Sequence, residues 1–190
     1  MFEGKPIENL TLEQKLQILL DEREIRAVLY RSARAGDRVD AELLRSCYHD
    51  DAVDHHEPFF DLPVAEFLKG FESRMANVSE GHQYLMGNIN IELDGDIAHT
   101  ETYCWSATKQ VERADNGDPL MRMTGCRYVD RFERRQNIWK IAERWYVPEW
   151  SYFVQVPPLT RRIGNVRPSH EIDCPPLTSF RDKRDITYTL

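Results

Sequence analysis

The chain lacks the motifs that announce the commonest nucleotide, zinc and hydrolase chemistries. It has no Gly-rich phosphate loop, no dinucleotide fingerprint, no HExxH and no GxSxG. The chemistries that need those backbone cradles and ligand spacings are therefore not written in it. Its four cysteines, Cys47, Cys104, Cys126 and Cys174, include no CxxC pair. Without a metal-ligand spacing or a secretory signal, the expectation is four free thiols in a reducing cytoplasm. No apolar run approaches the about 18 residues that span a membrane, and MFEGKPIENL at the N-terminus lacks the basic and apolar regions of an export signal. Basic charge is scarce as well: Lys and Arg number 25 against 32 Asp and Glu, a net charge of −7. Binding to a phosphate backbone needs a concentrated basic face, so no nucleic-acid partner is expected.

What is present is β-sequence. From His82 to Pro148 the chain reads as four long β-rich runs cut by Asp94-Gly95-Asp96, Asp115-Asn116-Gly117-Asp118 and Gln136-Asn137. Asp-Gly and Asn-Gly between β-rich segments mark hairpins, because Gly and Asn accept the positive φ such turns require. Runs this long must twist and bend, and a bent sheet needs its concave face filled. Upstream, Thr11-Leu12-Glu13-Gln14 is a capping box. It opens a helix whose Leu12, Leu16, Leu19, Ile25, Val28 and Leu29 form one apolar stripe to about Ala35, with Gly36 as its stop. Asp40 caps a second helix over 41–47. A short strand follows around 52–55, and Pro63 starts a third helix carrying Val64, Phe67, Leu68, Phe71 and Met75. Helices gathered against an antiparallel sheet make an α+β fold. Residues 1–150 read as one domain, and the Pro- and Arg-rich 151–190 as an extended arm ordered by contact.

The candidate site residues are scattered polar groups that such a fold brings into its concavity. Asp37 follows Gly36 at the end of the first helix, as a functional acid or as a turn residue. Asp54-His55-His56 is the densest titratable cluster, and neighbours on a strand face opposite ways, so at most one histidine points inward. For the same reason the pair cannot aim at one ion, and no metal is expected from Asp54, His55, His56 and His82. His82, Tyr84, Met86 and Asn88 alternate onto one face unless a bulge intervenes, and Gly87-Asn88 is where a bulge would fall. Ser106 and Thr108 sit on a small polar face of the next run, and Tyr128 on the one after. Trp139, Ile141, Trp145 and Val147 place apolar surface on the last run, from which a homo-oligomer is expected.

Several stretches together resemble one family. These are Asp37-Arg38-Val39-Asp40-Ala41-Glu42-Leu43-Leu44, Tyr48-His49-Asp50-Asp51-Ala52-Val53-Asp54, Gly87-Asn88-Ile89-Asn90-Ile91-Glu92-Leu93-Asp94-Gly95-Asp96 and Arg127-Tyr128-Val129-Asp130-Arg131-Phe132-Glu133-Arg134-Arg135. In order and spacing, over about residues 12–150, they resemble the SnoaL-like branch of the nuclear transport factor 2-like superfamily. The resemblance implies a cone: a strongly curved, mainly antiparallel sheet closed by three N-terminal helices around a pocket, as a homodimer or homotrimer. It also implies cofactor-free lyases and isomerases such as scytalone dehydratase and hexachlorocyclohexane dehydrochlorinase. Non-catalytic binders and dioxygenase β subunits are the alternative it carries. In the lyases an Asp ends the first helix, matched here by Asp37, and its His partner's position is occupied by Tyr84, with His82 two residues earlier. Ser32, Ser106 and Thr108 stand where other pocket groups occur. The expectation is a cofactor-independent dehydration, isomerisation or retro-aldol reaction on a small aromatic substrate. Asp37, His55, His56 and Tyr84 would be catalytic, and Ser32, His82, Asn88, Ser106, Thr108 and Tyr128 would line the pocket.

Overall fold

A computed structural model describes residues 9–56, 60–156 and 187. The elements run α1 (Leu12–Arg38), α2 (Ala41–Ser46), β1 (Tyr48–His56), β2 (Phe60–Pro63), α3 (Val64–Phe67), α4 (Phe71–Val78), β3 (Ser79–Asp94), β4 (Ile97–Arg113), β5 (Pro119–Arg135) and β6 (Ile138–Gln155). They form an α+β fold with one curled six-stranded sheet in the order β2-β1-β6-β5-β4-β3. All pairs are antiparallel except β1 with β6. The three hairpins fall where the turn residues place them. Gly95 and Gly117 take φ of 62° and 83°, and Gln136-Asn137 take 53° and 61°, the paired left-handed conformation of a type I′ turn.

The capping box at Thr11 and Gln14 is formed as read. Helix α1 runs further than Gly36 suggests. Val39, in the left-handed region at φ 54°, caps it by donating to Ala35 and Gly36 carbonyls, so Asp37 belongs to the last helical turn. Gly36 serves a close approach instead of a stop: a Cβ there would fall 2.6 Å from Tyr84 Cε2. Only the second half of the expected apolar stripe is core. Ile25, Val28 and Leu29 are buried with Ala35, whereas Leu12 is 83% exposed and Leu16 and Leu19 also face outward. The expected third helix is two, α3 and α4, broken at Gly70 (φ 70°). Arg74 bridges the break, donating to the Phe67 and Lys69 carbonyls.

Two bulges decide what faces the concave side. In β3, Met86 pairs with Cys104 and Ile89 with Thr102, leaving Gly87 and Asn88 opposite Tyr103. The inward set thus changes phase from Tyr84 and Met86 to Ile89 and Ile91. In β6, Ile141 pairs with Phe132 and Glu143 with Arg131, so Ala142 is the extra residue. A bulge adds one residue to one strand and shifts every later side chain to the other face. Hence Trp139 and Ile141 are buried in the core with Phe132, while Trp145 is exposed on the outer face and Arg144 is buried inside. The four apolar residues expected on one face are therefore divided between two. The outer face still carries Leu85, Tyr103, Trp105, Trp150 and Tyr152, all exposed. Trp105 and Trp150 meet edge to face with centroids 5.0 Å apart. Residues 151–155 continue β6 against β5. Apart from Val156 and Thr187, the remainder of the arm lies outside the described residues.

Candidate active site

The concave face holds a chain of polar contacts rooted in β1. With a period of two, Ala52, Asp54 and His56 share the inner face of that strand. Asp54 is 1% exposed. Its Oδ1 accepts a close hydrogen bond from His56 Nδ1–H, and its Oδ2 accepts from the Tyr48 hydroxyl at 2.9 Å. Arg144 Nη1 in turn donates to Tyr48 Oη at 3.3 Å and to Ser32 Oγ at 3.5 Å. The rest of the Arg144 guanidinium forks onto Asp130, Nε to Oδ1 at 2.7 Å and Nη2 to Oδ2 at 2.8 Å. It also lies over the Tyr128 ring, 4.3 Å from its centroid.

This network sets the protonation states. Burial pushes the Asp54 carboxyl up, but the His56 hydrogen bond and charge, with Arg144 and Tyr48, hold it below the usual carboxylate range. Burial acts against the Arg144 charge, and the Asp130 carboxylate overcomes it, keeping the guanidinium protonated well above its ordinary value. Burial also raises the phenols of Tyr48, Tyr84 and Tyr128, which remain proton donors through the neutral range. Because Asp54 occupies Nδ1, the His56 nitrogen left to exchange a proton is Nε2. The imidazole is fixed by stacking as well, between Phe60 (4.8 Å, 20°) and Tyr146 (4.8 Å, 4°).

A cavity of about 60 Å³ opens onto these groups. Asp54, His56, Tyr48, Tyr84, Tyr128 and Arg144 make its polar wall, and Phe67, Phe71 and Met86 its apolar one. A larger, open groove of about 780 Å³ follows the outer side of α1 to Ile138. Its lining mixes Leu19, Tyr30 and charged side chains such as Glu22, Arg23 and Arg26. The smaller cavity is the better candidate site, because its polar groups are buried and hydrogen-bonded to one another. Among the described residues no three His, Cys, Asp or Glu side chains are grouped to hold a metal ion. No described helix is long and apolar enough to cross a membrane.

The residues singled out from sequence divide clearly. His56, Tyr84, Tyr128 and Ser32 line the cavity. His55 lies on the opposite face of β1, stacked on Trp145 at 5.0 Å and paired with Asp61 (2.7 Å) and Glu143 (3.1 Å). Asp37 points at backbone: its Oδ1 accepts from the Tyr84 N–H at 2.7 Å. His82 packs beneath the Tyr84 ring (4.2 Å), and its Nδ1 meets Thr108 Oγ1 at 3.2 Å. Ser106 is the cross-strand partner of Tyr84 and is buried beside it on β4, outside the cavity lining. Asn88 is exposed in the β3 bulge. Sequence reasoning did not single out Tyr48, Asp130 and Arg144, nor Asp54 as the partner of His56. The i, i+2 spacing of Asp54 and His56 was a usable signal. Arg144 had none, since the Ala142 bulge hides its phase.

The site's likenesses agree with the fold. A family model for the SnoaL-like domain matches residues 17–145. Among curated protein sequences none matches the chain. The hexachlorocyclohexane dehydrochlorinase LinA-type3 from Novosphingobium barchaimii LL02 superposes with a TM-score of 0.65 at 16% identity, over 76% of this chain and 99% of that one. A candidate scytalone dehydratase from Novosphingobium aromaticivorans gives 0.61 at 16% identity, covering 75% and 95%. A candidate aromatic ring hydroxylase from the same species gives 0.60 at 19% identity, covering 72% and 94%.

Proposed function

Because the chain belongs to the SnoaL-like domain family, we propose that it is a cofactor-independent lyase or isomerase whose acid–base group is the Asp54–His56 pair, acting on a small, largely apolar aromatic or polycyclic substrate. One observation carries this reading. The His56 imidazole lines the cavity, is clamped between two aromatic rings, and is held at Nδ1 by a buried carboxylate that is itself hydrogen-bonded to Tyr48. That arrangement fixes the tautomer and orientation of a general base. In an elimination, His56 Nε2 takes a proton from carbon and the C–H electron pair becomes the new double bond. The group on the neighbouring carbon leaves with its bonding pair and is protonated or hydrogen-bonded by a neutral phenol. Tyr128 and Tyr84, which line the cavity and are kept protonated by burial, would take that role. An isomerisation uses the same base and returns the proton to a different carbon. The LinA-type3 neighbour is, by its name, a dehydrochlorinase, a chemistry of the same kind.

A second reading has its own support. The cone is largely filled by the Asp130–Arg144 pair and three tyrosines, and a cavity of about 60 Å³ is smaller than the roughly 150 Å³ void that takes benzene. A filled cone suits an assembly module comparable to a dioxygenase β subunit. The enzyme reading requires that the Phe67 and Phe71 side chains of the apolar wall move aside to admit a ring. The exposed aromatic residues on the outer sheet face support a homodimer or homotrimer under either reading.

The test is turnover and binding with a panel of cyclic β-hydroxy and β-halo compounds bearing an acidic C–H, followed by the ultraviolet absorbance of the conjugated product. Wild type should turn over at least one member, and His56→Gln and Asp54→Asn should lose most of that rate. Wild-type-like rates in both variants would rule the dyad out. Neither binding nor turnover across the panel, with co-purification of an unrelated subunit, would favour the assembly reading.

A further inference from the structure

Beneath Tyr84 and Met86 the sheet carries two thiols with no place in the proposed chemistry. Cys104 on β4 and Cys126 on β5 are direct cross-strand partners. Both side chains face the concave side, and both residues are buried, at 1% and 3% exposure. Directly opposed residues of an antiparallel pair have Cα atoms about 4.5–5.5 Å apart, inside the about 4.4–6.8 Å range that a disulfide spans. The two thiols are near enough to shift each other's ionisation, and the Cys104 thiol donates to the Trp105 carbonyl at 3.6 Å. Cys47 is in a different setting, packed in the helix-side core with its thiol on the Leu43 carbonyl at 3.4 Å.

We propose that Cys104 and Cys126 form a reversible disulfide, making this rung of the sheet an oxidant-responsive modification site. Because the two residues face each other on one rung, bond formation requires rotation of the side chains and a small approach of β4 to β5, with no rearrangement of the chain. The pair sits in a cluster with Tyr84, Met86, Tyr128 and Tyr146, three of which also bound the cavity. A small oxidant entering that cavity is therefore separated from the sulfurs by side chains alone. With a peroxide as oxidant, the Cys126 sulfur attacks one oxygen, giving a sulfenic acid and one water. The Cys104 sulfur then displaces the hydroxyl from it, forming the S–S bond and a second water. Two thiol hydrogens end in the waters, the thiol pair loses two electrons, and the peroxide gains them. Cys126 is the better attacking group, because the neighbouring Cys104 thiol and the Arg144 charge favour its thiolate against burial. A dithiol reductant reverses the step by thiol–disulfide exchange.

The experiment treats native protein with hydrogen peroxide, quenches with an alkylating agent, and counts thiols and maps linked peptides after unfolding. Of the four cysteines, two should become unavailable, the linked peptides should be those of Cys104 and Cys126, and dithiothreitol should restore all four. In Cys126→Ser the count should stay at three after the same treatment. Four alkylatable thiols in treated wild type, or a link involving Cys47 or Cys174 instead, would overturn the proposal. The wild-type peptide map does not depend on any variant folding.

Discussion

The Asp37 carboxylate accepts a hydrogen bond from the backbone N–H of Tyr84 at 2.7 Å, tying the last turn of α1 to the edge strand β3. An edge strand presents N–H groups with no strand partner, and here a side chain satisfies one while seating the Tyr84 ring over Gly36. Asp37→Asn keeps an acceptor oxygen and should change stability by less than about 0.5 kcal/mol. Asp37→Ala leaves the N–H unsatisfied and should cost about 1–3 kcal/mol. Urea unfolding of the two variants checks this. An Asn variant that folds normally but is inactive would show that Asp37 acts on substrate instead.

Replacing the general base should lower kcat by about 100- to 10,000-fold, the usual contribution of such a group. His56→Gln is expected in that range, and Asp54→Asn toward its lower end, since the imidazole keeps its aromatic clamp. His55→Ala, on the outer face against Trp145, should stay within about twofold of wild type. Steady-state rates of the three variants on one responsive substrate decide the assignment. A loss in His55→Ala matching that in His56→Gln would place the chemistry on the other face.

Removing one half of the buried Asp130–Arg144 pair leaves an uncompensated charge. Arg144→Met should therefore destabilise by about 3–5 kcal/mol, whereas Asp130→Leu combined with Arg144→Met should recover much of the loss. Chemical denaturation of both variants measures the coupling. If the single and double variants unfold at the same midpoint, the pair contributes no such linkage.

Stability should fall at both ends of the pH scale for different reasons. The Asp54 carboxyl has a lower pKa folded than its unfolded value near about 3.9. On acidification the unfolded chain therefore binds the proton first. Its contribution is whole above about 3.9 and drains away as the pH falls through the folded pKa. Asp54→Asn should flatten that limb. At the alkaline end, burial raises Tyr48, Tyr84 and Tyr128 above their ordinary value. The unfolded chain then loses phenolic protons first, so stability declines once the pH passes about 10. Phenolate absorbance should show these three of the eight tyrosines titrating only on unfolding.

The architecture was legible because its signals are local. Turn residues at Gly95, Gly117 and Gln136-Asn137, the capping box at Thr11 and the apolar periodicities each needed only a few neighbours to read. The candidate site was legible in part. Strand parity places Asp54 with His56 and separates His55 from both, but the two histidines looked equivalent until a face was chosen. Asp37 sat in the right place for a functional acid, yet the backbone it serves is 47 positions away, and sequence gives no hint of such a contact. Asn88 and Arg144 were misread or missed for one shared reason. Asn88 sits in a bulge and Arg144 follows one, where the two-residue period that sequence reading relies on slips by one.

That slip in β6 sets how the strand tolerates changes in length. Counting inward residues, Ile141 and Arg144 are separated by Ala142 and Glu143, one more than a regular strand allows. Deleting Ala142 would restore strict alternation and keep Arg144, Tyr146 and the polar plug facing inward. Inserting a residue at the same point would set Arg144 four positions after Ile141, so a regular strand would keep it inward but slip its pairing by two, from Asp130 to Tyr128. The strand thus holds one spare residue in a single direction: it absorbs a loss there with its register intact, whereas a gain parts Arg144 from Asp130 unless the bulge widens to hold it.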